Sequence, residues 1–359
     1  MVTKRVFFVL LIAAFSAAVV LAARVPLAGG QGESGITVNL TPYEGNPILG
    51  KGPAGSWDSV SVWAPTVVFH DGLYHMFYTG TRPGWPTFEI GYATSTDGLT
   101  WEKYAGNPVF KADGTGFDAT AVGASPVMVE GDTWVLYYMG EKTVGVGGPI
   151  GRATAPDPTG PWTRSEDPVL TSGSQGEWDA WGTIPCSVIS TGEGYVMYYL
   201  GLGSSISAEV DDMIGMATSP DGITWTKYDD PTTADPPYAE SDPVLPLGLE
   251  GWQLSNIYEV TVRSTADGWE MFYSEKGWSK DDGVPAYRIG YATSVDGIHW
   301  TKYAGFPVLS YKDDPVASLS LHLVPSSVLV NDSTYFLYYD YHWSTGGGIG
   351  VATGTVTRE

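Results

Sequence analysis

The sequence has a single cysteine, Cys186, so no disulfide can form within the chain and stability must come from packing. Positive charge is scarce: 18 Lys and Arg stand against 40 Asp and Glu, a formal net charge of -22. That balance removes the pull toward a phosphate backbone and argues against nucleic acid as a partner. Also missing are an H-x-x-H pair, a Cys pair, a P-loop, a G-x-S-x-G elbow and any spaced set of metal ligands. The sequence therefore supports no cofactor, nucleotide or metal chemistry, with a structural calcium ion left open. Long apolar runs are absent except for one, from Val6 to Ala23 behind Lys4 and Arg5, which ends in small residues. This is the layout of a secretory signal, with cleavage expected near Ala22 or Ala23. At about 18 residues it reaches the lower limit for spanning a bilayer, so an uncleaved segment would anchor the protein at its N-terminus. Either way the folded part is expected to be exported, with membrane contact only through that segment.

What is abundant points to one fold class. Gly (46) and Pro (25) are plentiful, as a turn-rich all-β chain requires, and 359 residues suit a barrel or propeller. With 14 Trp and 22 Tyr, some rings are left over for binding after the core is filled. Self-similarity then decides the architecture. Each unit has an apolar strand containing Pro, a second strand ending in aromatics and a small residue, a third strand reading G-x-A-T, and usually a D-G-x-x-W turn. The second strands run Met76 to Gly80, Leu136 to Gly140, Met197 to Gly201, Met271 to Glu275 and Leu337 to Tyr341. The third strands begin at Gly91, Gly151, Gly215, Gly290 and Gly350, a spacing that fits a four-stranded blade with loops. Five copies predict an all-β, five-bladed β-propeller.

The ends predict how the ring closes. The fifth unit stops after its third strand, while Tyr43 to Leu49 near the N-terminus matches Tyr104 to Phe110 and Tyr303 to Leu309. A strand around Ile36 to Leu40 is thus expected to complete the last blade and remove an exposed edge. The expected organisation is a signal or anchor at 1–23, a linker at 24–35 and one propeller at 36–357. Its blades fall near 56–110, 111–170, 171–245, 250–309, and 316–357 with 36–49. A monomer is expected.

Antiparallel order places the start of strand one, the end of strand two and the start of strand three on one face of the disc. The D-G-x-x-W turns lie on the other face, so a site at the axial funnel should come from the first set. Asp58, Asp118 and Asp179 follow Trp57, Phe117 and Trp178 just before strand one of blades one to three. They are candidates for acid-base work, and equally for turn and strand caps. Glu259 takes the place held by Pro65, Pro126, Pro185 and Pro325 in the other first strands. An acid in an apolar strand needs either a partner, for which Arg288 is a candidate, or a raised pKa of the kind a general acid uses. Glu275 and Asp340 break the repeat at the end of strand two, where both should face the funnel mouth. Trp63 and Trp181 are candidates for stacking on a sugar and Arg288 for binding a carboxylate, with His322 and His342 completing the expected substrate contacts.

With five blades, Trp63-Ala64-Pro65 leading into Gly72 to Tyr78, and repeated N-P-V-L linkers, the chain resembles the five-bladed propeller glycosidases, among them glycoside hydrolase families 43, 32, 68 and 130. The resemblance covers residues 36–357. It implies a secreted glycoside hydrolase with a carbohydrate substrate and a funnel-shaped site holding one carboxylate in each of three blades. On that basis Glu259 is the expected acid and Asp58 the expected base. One departure stands out: families 43 and 32 place their acids beside the strand-one proline, where this chain has Ala64 and Thr66, Ser125 and Val127, and Ile184 and Cys186. A non-catalytic carbohydrate-binding propeller is therefore the alternative. A weaker one is a sialidase, because S-x-D-G-x-x-W is similar to the sialidase Asp-box but one residue short.

Overall fold

The computed structural model describes residues 35–84, 87–123, 126–143, 147–203, 212–245, 253–278, 285–316, 321–341 and 347–358. The signal-like segment, most of the expected linker and His342 lie outside them. Blade one pairs Ser61–His70, Leu73–Thr81, Phe88–Ser95 and Glu102–Lys103 in that order. Blade two follows with a first strand in two pieces, Ala121–Gly123 and Val127–Glu130, then Thr133–Glu141, Ile150–Ala155 and Thr163–Arg164. Blade three consists of Gly182–Thr191, Gly194–Leu202, Met213–Ser219 and Thr226–Lys227. Blade four is the longest, with Gln253–Thr265, Gly268–Trp278, Pro285–Ser294 and Thr301–Lys302. Blade five has Val324–Asn331, Thr334–Asp340 and Gly348–Arg358, and its outer strand is the N-terminal Ile36–Pro42.

That last pairing closes the ring as the sequence predicts. Ile36 faces Arg358 and Pro42 faces Ala352 in an antiparallel register, which covers the edge that Gly348–Arg358 would otherwise expose. The N-P segments add a second fastening. The Asn46 side chain accepts the Val351 N–H at 3.0 Å and donates to the Val351 carbonyl at 3.1 Å, as Asn107 does to Tyr92 at 2.8 and 2.9 Å. An amide side chain here copies one rung of a β-ladder.

The middle of each second strand, Met76 to Tyr78 and its equivalents, is apolar or aromatic because both of its faces are covered. Met76, Phe77 and Tyr78 are fully buried, as are Tyr137, Tyr138, Tyr198, Tyr199, Tyr338 and Tyr339. The tyrosines also tie neighbouring blades together. Tyr338, Tyr137 and Tyr198 donate to the carbonyls of Gly98, Gly222 and Gly297 at 3.1, 2.8 and 2.8 Å. Each of those glycines is the G of a D-G-x-x-W turn in the next blade. The turn Trp packs where expected, with Trp101 edge-on to Tyr338 at 6.2 Å. The G-x-A-T glycine is required for the same reason: a Cβ at Gly151 would lie 2.4 Å from the Tyr138 ring.

The first strands are innermost and touch one another. Ser327 Oγ accepts the Val67 N–H at 3.1 Å and Ser187 Oγ the Val262 N–H at 3.0 Å, which joins blades five to one and three to four around the axis. All carry bulges except the divided strand of blade two, at Trp63/Thr66, Pro185/Ser187, Ile257/Val260 and Pro325/Ser327. A bulge releases residues from the ladder and re-aims them. Here the released residues lie next to the axis.

Candidate functional site

The three repeated Asp residues are placed away from the role expected of them. Asp58, Asp118 and Asp179 are buried, and each is bound to a cation on the fourth, outermost strand of its own blade. Lys103 reaches Asp58 at 2.5 Å, Arg164 reaches Asp118 at 2.9 Å and Lys227 reaches Asp179 at 2.5 Å. Tyr138 donates to Asp118 at 2.8 Å and Tyr199 to Asp179 at 3.4 Å. The Asp Cβ atoms lie so close to the end of strand two that a Cβ on Gly80, Gly140 or Gly201 would be 2.8, 2.7 or 2.7 Å away. Carboxylate, tyrosine and cation thus form one buried wedge in each of blades one to three.

Glu275 belongs to the same wedge. It stands where blades one to three have that glycine, and its own carboxylate reaches Lys302 of the fourth strand at 2.8 Å. The expectation that it faces the mouth is corrected: a longer side chain on strand two does what an incoming Asp does elsewhere. In blade five Asp314 fills the position, accepting from Tyr339 at 2.6 Å, Tyr341 at 2.8 Å and Asn46 at 3.0 Å.

Glu259 and Asp340 are arranged differently. The bulge in blade four frees Tyr258 and Glu259, that in blade five frees Ser326, and that in blade one puts Ala64 at a left-handed φ of 47°. Asp340 is fully buried and accepts the Ala64 N–H at 2.9 Å. The Ser326 hydroxyl lies 3.4 Å from Asp340 Oδ2 and 3.5 Å from Glu259 Oε2, bridging the two acids. Left-handed backbone at a non-glycine residue is strained, and it persists where the surroundings demand it. Here it turns an N–H onto a buried carboxylate.

Glu259 is 5% exposed, and its Oε1 has no hydrogen-bond partner among the described residues. Its pKa lies well above the ordinary carboxylate range, first because burial disfavours the charge and then because Asp340 faces it, with the Ser326 hydrogen bond opposing both. Arg288 is not its partner. That guanidinium donates to the Ala286 carbonyl at 3.2 Å and lies 5.3 Å from the Tyr311 ring. The Cys186 thiol and Tyr258 phenol are also pushed up, by burial and then by the Glu259 charge.

The aromatic candidates divide. Trp63 is packed edge-on to Phe88 at 5.6 Å in the core. Trp181 is half-buried, with its backbone N–H bonded to Leu202. His322 lies 4.7 Å from the Tyr287 ring, and Tyr287 in turn stands 5.6 Å from Tyr258. Sequence reasoning missed Ser326, the Ala64 N–H, and a pair formed by Asp212 and Asn256, whose amide Nδ2 donates to Asp212 Oδ2 at 3.2 Å. Asp212 immediately precedes strand three of blade three and Asn256 lies near the start of strand one of blade four. The topological rule for the mouth face could have found both. Among the described residues, no three His, Cys, Asp or Glu side chains are grouped as a metal would need.

This geometry sits on a fold already known among glycoside hydrolases. A glycosyl hydrolase from Bacteroides ovatus is 18% identical with a TM-score of 0.66, over 90% of this chain and 94% of that one. A structure reported for glycoside hydrolase family 130, whose mannoside phosphorylases include hydrolases targeting β-1,2 mannosidic linkages in Candida mannan, is 18% identical with a TM-score of 0.68, over 90% and 96%. A family 117 glycoside hydrolase from Zobellia galactanivorans is 18% identical with a TM-score of 0.59, over 88% and 90%. At these identities the likeness is one of fold. No protein-family model matches the chain. Two uncharacterized proteins of Mycobacterium tuberculosis are 26% identical over 190 residues, which is 49% of this chain and 56% of theirs. The match therefore spans about half the length of those curated relatives.

Proposed function

We propose that this protein is an exported glycoside-cleaving enzyme whose chemistry lies at the axial acid pair. Glu259 is the general acid and Asp340 is its partner. The observation that carries this reading is Glu259 itself: a buried carboxyl with no ion pair among the described residues, one oxygen without a partner there and a pKa pushed up by burial and by Asp340. A carboxyl in that state keeps a proton to donate to a leaving glycosidic oxygen. Asp340 then supplies negative charge for the oxocarbenium-like transition state, and a water molecule adds its oxygen to the anomeric carbon as the glycosidic bond breaks. Because both acids lie within hydrogen-bond reach of one Ser326 hydroxyl, their facing oxygens are at most about 7 Å apart, which does not exceed the widest spacing, about 9.5 Å, of carboxyl pairs that cleave glycosides. The sugar-cleaving neighbours of the same fold support the substrate class.

The test is a glycan panel scored for released sugar. Wild type should cleave at least one member, and Glu259→Gln and Asp340→Asn should each lower the rate by about 100-fold or more. Undiminished cleavage by Glu259→Gln would sink the assignment. Mass spectrometry of the protein from its native host should find a mature N-terminus after Ala22 or Ala23; an intact N-terminus would point to an anchor instead.

A second reading is a non-catalytic glycan-binding propeller. It is favoured by the binding of Asp58, Asp118 and Asp179 into ion pairs, which takes away three expected acids. Saturable glycan binding by both wild type and Glu259→Gln, with no sugar released by either, would decide for it.

A further inference from the structure

We infer that Ser326 is a positioning residue for the acid step, its hydroxyl turning onto Glu259 as that carboxyl gives up its proton. This rests on the glycoside reading of the axial site and adds to it what receives the charge left behind.

The need for such a group follows from burial. A carboxyl that protonates a leaving oxygen becomes a carboxylate in the same step, and Glu259 must do so while 5% exposed. A charge formed there without a donor is costly. The titratable groups in electrostatic contact with Glu259 are Asp340 on blade five, Cys186 on blade three and Tyr258 on its own strand. The thiol and the phenol stay neutral, and Asp340 adds only negative charge. Among the described residues, the side chain that hydrogen-bonds the Glu259 carboxyl is Ser326, 3.5 Å from Oε2.

The geometry lets one hydroxyl serve both acids in turn. Ser326 follows the strand-one proline of blade five, and the bulge between Pro325 and Ser327 takes it out of the ladder. Its Oγ lies 3.4 Å from Asp340 Oδ2, 3.5 Å from Glu259 Oε2 and 3.4 Å from the Val324 carbonyl. Three acceptors surround it, and a hydroxyl has one hydrogen to give. While Glu259 is neutral, the carboxylate of Asp340 is the stronger acceptor. As Glu259 loses its proton a second charged acceptor appears at nearly the same distance, and rotation about the Cβ–Oγ bond carries the hydrogen to it. Asp340 is not left bare, because its Oδ2 keeps the Ala64 N–H at 2.9 Å. The proton that leaves Glu259 joins the glycosidic oxygen, which takes the bonding pair as the C–O bond breaks; the Ser326 hydrogen stays on Oγ throughout. Both hydroxyl contacts are long, whereas an O–H bond to a charged oxygen shortens to about 2.5–2.7 Å. The bond to Glu259 is therefore weak before the proton moves and strong afterwards, and an interaction of that kind lowers the barrier instead of tightening substrate binding.

The test compares leaving groups. A sugar that wild type releases is prepared as its dinitrophenyl glycoside, whose phenolate departs without a proton, and as its methoxyphenyl glycoside, whose oxygen needs one. Ser326→Ala and Ser326→Val should lower kcat on the methoxyphenyl glycoside by about tenfold or more, and on the dinitrophenyl glycoside by less than about twofold. The alkaline limb of kcat should move up by about half a pH unit or more, because Glu259 has lost the donor that favours its charged form. Ser326→Thr restores a hydroxyl at nearly the volume of valine and should recover both readings. Thermal melting checks that each chain folds, and infrared titration of the Glu259 carboxyl band, assigned by its loss in Glu259→Gln, reads the same shift without turnover. Equal falls on the two glycosides with an unmoved limb, or the same loss in Ser326→Thr as in Ser326→Val, overturn the role of Ser326 and leave the glycoside reading standing. Release of no sugar by wild type from any glycan or aryl glycoside overturns both.

Discussion

Glu275 and Lys302 make a 2.8 Å ion pair buried inside blade four, in the place where blade one joins Asp58 to Lys103. Blade four reaches the same arrangement from the opposite direction, with the carboxylate carried on strand two instead of arriving from a loop. Burial lowers the Lys302 pKa and the Glu275 charge and hydrogen bond offset only part of that, so the lysine depends on its partner to stay charged. Glu275→Gln should cost about 3–5 kcal/mol in urea unfolding, and the double change Glu275→Gln with Lys302→Met should recover most of it. A loss below about 1 kcal/mol in the single variant would contradict a buried pair.

The Asp58, Asp118 and Asp179 wedges lead to the converse expectation for activity. Asp58→Asn, Asp118→Asn and Asp179→Asn should each lower stability by about 2 kcal/mol, because each removes a charged hydrogen-bond acceptor from a buried cluster. Turnover of any cleaved glycan should stay within about threefold of wild type when measured well below the melting temperature. A selective collapse of turnover in Asp58→Asn, with stability intact, would return that residue to the catalytic set.

Glu259 makes the fold sensitive to alkali. In the unfolded chain it titrates near its ordinary value of 4.5, whereas in the native state burial and Asp340 hold its proton to higher pH. Between those two points the native state binds more protons than the unfolded one, so stability falls as pH rises. Below the ordinary value both states are protonated and the contribution is whole. Glu259→Gln stays neutral throughout, so it should match wild type near pH 4 and exceed it near pH 8 in urea midpoints. Parallel curves for the two proteins would mean that Glu259 ionises normally in the fold.

Ring closure is testable at both ends of the chain. Arg358, on the last strand, donates to Glu270 of blade four at 3.0 Å, and Arg263 reaches the same carboxylate at 2.7 Å. Arg358→Ala should cost about 1 kcal/mol, since the arginine is partly exposed and Arg263 remains. Removing residues through Pro42 strips the outer strand from Gly348–Arg358 and should leave an aggregating species in size-exclusion chromatography. A monodisperse, folded product would show that blade five is stable without its N-terminal strand.

The propeller was legible because its repeat is written in local terms. Apolar and aromatic strand runs, G-x-A-T and D-G-x-x-W each state a strand or a turn within a few positions, and five copies with an incomplete fifth unit dictate a ring closed by the N-terminal strand. Glu259 and Asp340 could be singled out as departures from that repeat. What the chain alone did not disclose is which carboxylates meet. Asp58 and Glu275 are no less acidic in the sequence than Glu259, but Lys103 and Lys302, on outer strands 45 and 27 residues further along, neutralise them. Asp340 stays beside Glu259 because bulges in three blades converge on the axis and a strained Ala64, 276 residues away, turns its N–H inward. Strand and turn preferences act between near neighbours, so the sequence by itself determined the blades and their number. The burial and mutual field of two charges depend on distances across the ring, and those only the closed tertiary structure decided.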